Sequence, residues 1–399
     1  VKTRLCIVTG SRADFGLLRW LMQDIADSDN FELQVIAVGS HLSTTFGETR
    51  AEITAAGFCL DATVDITMTA DSPADICRYT GTAMARFADT YQQLQPQLII
   101  VLGDRYEIFA GASAALFCGY PLAHLMGGEL SEGAIDEALR HSISKMASLH
   151  FVANDTYRQR VIQLGEPPER VFTVGGMGVD ALHRNTPLSR AELEQTLGAP
   201  LLEKNLLVTF HPATLATTNT TTDESPDAQM QALLDALSAL DQTRIIITFP
   251  NADAGHKRLI SAITQFCADN PNALHFASLG QQRYLSLMRY VDAVVGNSSS
   301  GLAEAPSFGI PTVNIGDRQR GRMKASSVLD CPPQPTAILE AIQLCYQPEI
   351  RARAKNCVNP YGDPGAAKRI VTALESIPLT GLRNKHFHDI AVPPSRTEA

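Results

Sequence analysis

Short apolar runs, each closed by Gly, Asp, Asn, Ser or Pro and followed by a segment with helical spacing, recur along almost the whole chain. A strand buried on both faces reads as a continuous apolar run, and parallel neighbours need a crossover that is usually a helix. The alternation therefore predicts parallel βαβ units. The first series runs "RLCIVTG", "LQVIAVG", "QLIIVLGD", "PLAHLMGG", "LHFVAN" and "VFTVGG", with helical spacing in "ADICRYTGTAMARFADTYQQL" and "EGAIDEALRHSISKMA". A more polar stretch begins near residue 180, and a second series follows: "NLLVTFHP", "RIIITFPN", "ALHFASLG", "DAVVGNSSSG" and "IPTVNIGD". At 399 residues the chain exceeds one compact core. An α/β protein with two doubly wound sheets facing a cleft is expected, divided at 1–180 and 181–362.

In open parallel sheets a ligand sits at the carboxyl ends of the strands. The polar clusters fall there: "TGSRADFG", "GDR", "GGELSEG", "HPAT", "PNAD" and "GNSSSG". If the sheets face each other, all six line one cleft. The segment 217–227, "TTNTTTDESPD", reads as a solvated loop.

Composition narrows the ligand. Hydrophobic content of 45% and charged content of 19% describe an ordinary globule. A net charge of −9 argues against a nucleic-acid or anionic-membrane partner, while leaving room for one anion pocket built from local arginines. The eight cysteines show no C-x-x-C pair or metal-ligand spacing, so they are read as buried, reduced thiols of a cytoplasmic protein without a metal site. The apolar stretch before Gly10 is too short for a signal peptide, and no run reaches membrane-spanning length.

Neither G-x-G-x-x-G nor G-x-x-x-x-G-K-[ST] occurs, which disfavours a dinucleotide or nucleoside triphosphatase site. No cofactor is expected. "TGSRADFG" places Arg12 and Asp14 in a turn entering a helix: an N-cap with an exposed arginine, or a guanidinium fork for a phosphate. Asp104 caps a helix or faces the cleft. Glu129, Glu132, Asp136 and Glu137 crowd one loop and helix start, where crowding and burial set carboxyl pKa values apart. Asp136 and Arg140, four apart, could form an intrahelical pair, and Glu132 reads as a solvated charge. His211, fixed by Pro212, is structural or catalytic; His124 is expected half-buried after its strand. Ser298, Ser299, Gly301 and Glu304 are a capped helix start, or a diphosphate and ribose contact.

Together "TGSRADFG", "VLGDRYE", "HLMGGELSEGAIDEALRHSISK", "TFHPAT" and "GNSSSGLAEAPSFGIPTVNIGDRQRGR" resemble the UDP-N-acetylglucosamine 2-epimerase family, in order from about Arg4 to Tyr361, and most of all its hydrolysing branch. The resemblance implies a glycosyltransferase-B-like fold of two Rossmann-like domains, with a final helix at about 363–378 crossing back onto the first. It implies that Ser298 and Ser299 hold the diphosphate and Glu304 the ribose. Arg12 and Arg318 would contact phosphate or nucleotide, with Arg105 and Asn251 beside them. Asp104 and Asp136 match catalytic carboxylates, and His211 matches a histidine near the leaving group. Some relatives read "HIEGGE", where this chain has Met126, so Glu129 becomes an acid/base candidate.

The implied reaction converts UDP-N-acetylglucosamine to UDP and N-acetylmannosamine through a 2-acetamidoglucal, for sialic acid synthesis. The implied protein is a cytoplasmic homo-oligomer, a dimer or tetramer. One alternative substrate is UDP-N,N'-diacetylbacillosamine, of legionaminic acid synthesis. A glycosyltransferase of the same fold is the alternative from another class.

Overall fold

The computed structural model describes residues 2–43, 49–66, 72–132, 134–212, 225–251 and 255–390. Ala213 and Thr214 of "TFHPAT", Ala252 and Asp253 of "PNAD", and most of the 217–227 stretch lie outside them.

Seven parallel strands form the first sheet: β1 (Thr3–Thr9), β2 (Phe31–Val38), β3 (Ala62–Val64), β4 (Leu98–Leu102), β5 (Leu122–Leu125), β6 (Leu149–Val152) and β7 (Val171–Thr173), in the order β3-β2-β1-β4-β5-β6-β7. Six form the second: β8 (Lys204–Thr209), β9 (Thr243–Thr248), β10 (Ala273–Phe276), β11 (Ala293–Gly296), β12 (Thr312–Ile315) and β13 (Val328–Cys331), in the order β10-β9-β8-β11-β12-β13. In each, the chain starts centrally, winds one way and then crosses over to wind the other. β1 shows why the apolar runs are continuous. Leu5 and Ile7 enter one core while Cys6 and Val8 enter the core on the opposite face, as side chains of period two must.

β3 and β13 were not anticipated from sequence. Both are short edge strands with exposed polar positions, so they lack the apolar run that marks the central ones. Two other expectations are corrected. Cys59, Cys77 and Cys118 are exposed rather than buried, although all eight thiols are free. His124 lies within β5 and is fully buried, because its ring bridges Ser144 Oγ at 3.0 Å and the Gly103 carbonyl at 2.7 Å.

The two halves are tied by a linker helix, Met177–Arg184. Its Asp180 carboxylate accepts the backbone N–H groups of Gly365 (2.8 Å) and Ala367 (2.9 Å), capping the late helix Ala366–Ser376. That helix buries Ala366, Ala367, Ile370 and Leu374 in the core of the first sheet. The tail beyond it also returns there: Lys385 Nζ donates to buried Glu166 and to the carbonyls of Lys145 and Ala147. Among the described residues no helix is long and apolar enough to cross a membrane.

Candidate active site

Loops at the carboxyl ends of both sheets meet across one cleft, lined by Arg12, Asp104, Arg105, Asp136, His211, Asn251, Ser298, Ser299, Glu304 and Arg318 among the residues singled out in sequence. Glu129 and Gly301 do not line it. Gly301 packs beneath, where a Cβ would come 2.6 Å from Thr312 Cγ2.

On the first-sheet side, Asp104 follows β4 and is gripped by Arg140, which is 2% exposed and also donates to Ser131 Oγ at 3.1 Å. The Asp136–Arg140 helix pair suggested by spacing is thus replaced. Arg140 lies on the buried face of its helix and reaches β4, while Asp136 at the helix start turns to Arg318, 3.8 Å away on the other half. Arg105 donates from Nε to buried Glu107 at 2.6 Å. Asp14, 8% exposed, also lines the cleft, and burial pushes its carboxyl up to about 6 against the pull of Arg105.

Glu129 is 1% exposed and faces Arg322, whose Nη2 lies 3.1 Å from Oε2. Burial raises its carboxyl above the ordinary range, and Arg322 opposes the rise. It is Arg322, not Glu129, that reaches the cleft surface. Glu132, read as a solvated charge, is half-exposed but pairs with Arg320 at 2.8 Å across the cleft rim.

On the second-sheet side, β11 ends at Gly296, whose φ of +133° and close approach to the Thr209 carbonyl (a Cβ would sit 2.0 Å away) admit only glycine. The next residue, Asn297, is buried and clamps the loop after β8: its Oδ1 accepts the His211 N–H at 2.7 Å and its Nδ2 donates to the His211 carbonyl at 2.9 Å. The Asn251 N–H donates to His211 Nδ1 at 3.1 Å. An occupied acceptor at Nδ1 leaves the proton of the neutral ring on Nε2.

The serine stretch forms a single turn, Ser300–Ala303, rather than a full helix, because Pro306 cannot continue the hydrogen-bond ladder. Tyr284 Oη donates to Ser300 Oγ at 2.9 Å. Glu304 closes the turn, and burial pushes its carboxyl up to about 7. Its space exists because residue 178 is glycine: a Cβ there would fall 2.2 Å from Glu304 Oε1.

Sequence reasoning missed Arg140, Arg322, Tyr284 and Gly178 as parts of the site. In "DRQRGR" nothing in the spacing tells which arginine turns inward; the fold exposes Arg320 and buries Arg322. Gly178 carries no chemistry and acts only by the atoms it lacks. No group of three or more His, Cys, Asp or Glu placed to hold a metal ion occurs among the described residues.

Residues 23–375 match the family model described as UDP-N-acetylglucosamine 2-epimerase. The GDP/UDP-N,N'-diacetylbacillosamine 2-epimerase (hydrolyzing) of Campylobacter jejuni is 37% identical over 98% of this chain and 100% of its own length. The polysialic acid biosynthesis protein P7 of Escherichia coli is 34% identical over 97% of each chain. In fold, the UDP-GlcNAc 2-epimerase of Neisseria meningitidis, solved bound to UDP-GlcNAc, superposes with a TM-score of 0.77 at 18% identity, covering 94% of this chain and 100% of the other.

Proposed function

The chain belongs to the UDP-N-acetylglucosamine 2-epimerase family, and from this we propose that it is a hydrolysing UDP-sugar 2-epimerase that takes UDP-N-acetylglucosamine to free N-acetylmannosamine and UDP. The observation that carries the reading is the division of labour across the cleft. Asp14, Asp104 and Asp136 stand on the first-sheet side with Arg12 and Arg105, and Ser298, Ser299, His211, Arg318 and Glu304 stand on the other. The same division favours an epimerase over the glycosyltransferase alternative, which needs no carboxylate cluster.

The proton on carbon 2 of the sugar is too weakly acidic to leave alone, so its removal is coupled to departure of UDP from carbon 1. Arg12, Arg318, Ser298 and Ser299 meet the growing charge on the diphosphate, and the His211 Nε2–H donates a hydrogen bond to the leaving oxygen. Arg105 and Asn251 flank the nucleotide, and Glu304 holds the ribose. Asp104 and Asp136 serve the proton at carbon 2. Elimination gives a 2-acetamidoglucal; water then adds to carbon 1 and a proton returns to carbon 2 from the opposite face. Glu129, enclosed with Arg322, acts through that guanidinium as a positioning residue instead of exchanging a proton itself.

In this reading residues 1–180 with 363–378 form the carboxylate domain and 181–362 the UDP domain, in a cytoplasmic homo-oligomer that needs no cofactor. The alternative substrate, UDP-N,N'-diacetylbacillosamine, has the support of the full-length match to the Campylobacter enzyme. Incubation with each UDP-sugar in heavy water, followed by NMR, decides. The expected products are UDP and a free mannose-configured sugar with deuterium at carbon 2. Retention of the original hydrogen, or a product still joined to UDP, would remove the mechanism.

A further inference from the structure

Inversion at carbon 2 needs a proton taken from one face of the ring and another delivered to the other. Asp104 is held by buried Arg140, and Asp136 stands 3.8 Å from Arg318. Each of these carboxylates thus already faces a guanidinium. The cleft holds a third carboxyl on this side, Asp14, which the sequence placed only in a turn entering a helix.

Asp14 sits in the first turn of the helix that follows β1, Asp104 follows β4, and Asp136 begins the helix that follows β5. β4 lies between β1 and β5, so Asp14 and Asp136 are carried by the helices that follow the two strands on either side of the one leading to Asp104. All three carboxylates line the one cleft in which the sugar ring would sit. Asp14 lines the cleft, is 8% exposed, and its Oδ2 has no hydrogen-bond partner. A buried carboxyl oxygen left unpaired in the free protein is costly unless a ligand or a proton completes it.

We propose that Asp14 is the acid that returns a proton to carbon 2 of the glycal, from the face opposite Asp136. This rests on the hydrolysing reaction proposed above. The Asp14 carboxyl gives its proton to carbon 2 as the carbon 1–carbon 2 double bond opens. Water forms its bond to carbon 1, and the proton that water loses restores Asp14. The proton taken in the first half-reaction leaves to solvent, so each turnover releases one. The surroundings fit an acid. Burial raises Asp14 to about 6, Glu107 adds to the rise, and Arg105, Ser11 and the Gly10 backbone limit it.

The bland alternative is that Asp14 only caps its helix, whose start is already closed by the Asp14 N–H donating to Ser11 Oγ at 3.2 Å. Asp14→Asn separates the two, since an amide still accepts a capping hydrogen bond but gives no proton to carbon. In single-turnover experiments Asp14→Asn should release UDP at close to the parental rate and accumulate 2-acetamidoglucal by NMR. Free mannose-configured sugar should form at least about 100-fold more slowly, with melting temperature and UDP affinity unchanged. Free sugar formed within about threefold of the parent rate overturns the proposal, and so does loss of UDP release and glycal together. If Asp14→Asn fails to fold, Asp14→Ser, which keeps a short acceptor, is read in the same way. Failure of the parent enzyme to release UDP from either sugar would instead remove the underlying reaction.

Discussion

The Glu129 carboxylate and the Arg322 guanidinium meet 3.1 Å apart, one on the loop after β5 and the other on the loop after β12, and both are almost fully buried. The pair therefore ties the two sheets together directly beneath the cleft. Around it the Glu132 N–H donates to the Arg320 carbonyl at 3.3 Å and Arg322 Nε donates to the Leu130 carbonyl at 3.1 Å. The loop that carries Arg318 is thus fixed against the loop that leads to Asp136.

Removing one member of such a pair leaves an uncompensated buried charge. Glu129→Gln should cost about 3 kcal/mol in urea denaturation and weaken UDP binding, because Arg322 lines the cleft. The double variant Glu129→Gln with Arg322→Met should recover most of the stability. A Glu129→Gln protein with full stability and UDP affinity but collapsed turnover would instead make Glu129 a proton-transfer residue.

Glu304 titrates where its role can be read from pH. With its carboxyl pushed up to about 7 by burial, the ionised form that best accepts hydroxyl hydrogen bonds forms as pH rises through that value. Glu304→Ala should weaken UDP binding by about 1–3 kcal/mol. The affinity gap between the parent and Glu304→Gln should widen from pH 6 to pH 8; ionisation of UDP itself is common to both and cancels. A gap that stays constant across that range would remove the carboxylate from ribose binding.

Gly178→Ala sets two effects against each other. Alanine favours a helix over glycine by roughly 1 kcal/mol, so the Met177–Arg184 helix should hold or gain stability. The new methyl would stand 2.2 Å from Glu304 Oε1 and 3.2 Å from its Cγ, so that side chain has to move. UDP affinity should fall by about tenfold, the scale of one lost hydrogen bond to a charged group, while the melting temperature does not. Equal affinity in the variant would show that Glu304 can shift without consequence.

The central strands were legible in the sequence because burial on both faces forces an unbroken apolar run, as in β4 and β9. β3 and β13 were not, since an edge strand of three or four residues needs no such run. Ten of the twelve site residues line the cleft because parallel sheets gather their carboxyl-end loops there. Glu129 shows what loop position leaves open: the residue lies in the expected loop, yet its side chain turns inward to Arg322. Asp14 shows the reverse. As the third residue of a capped helix it looks purely structural, and only the fold shows its unpaired oxygen in the cleft that Asp104 also lines.

The C-terminal tail makes the last prediction, through Glu166. Burial alone would raise this carboxyl, but hydrogen bonds from His150, Lys145 and Lys385 outweigh it and hold it down to about 2, against an ordinary 4.5. A carboxylate whose pKa is lower in the folded state stabilises the fold fully above its unfolded value, and that contribution is lost as pH falls through 4.5 toward 2. Glu166→Gln should therefore cost on the order of 3 kcal/mol near neutrality, and the cost should stay level down to about pH 5 and shrink below it. Because Lys385 also holds the carbonyls of Lys145 and Ala147, the variant should loosen the tail and speed proteolysis beyond Ser376 before the core of the first sheet opens. A stability difference that grows on acidification would mean that Glu166 is not held as a carboxylate by this cluster.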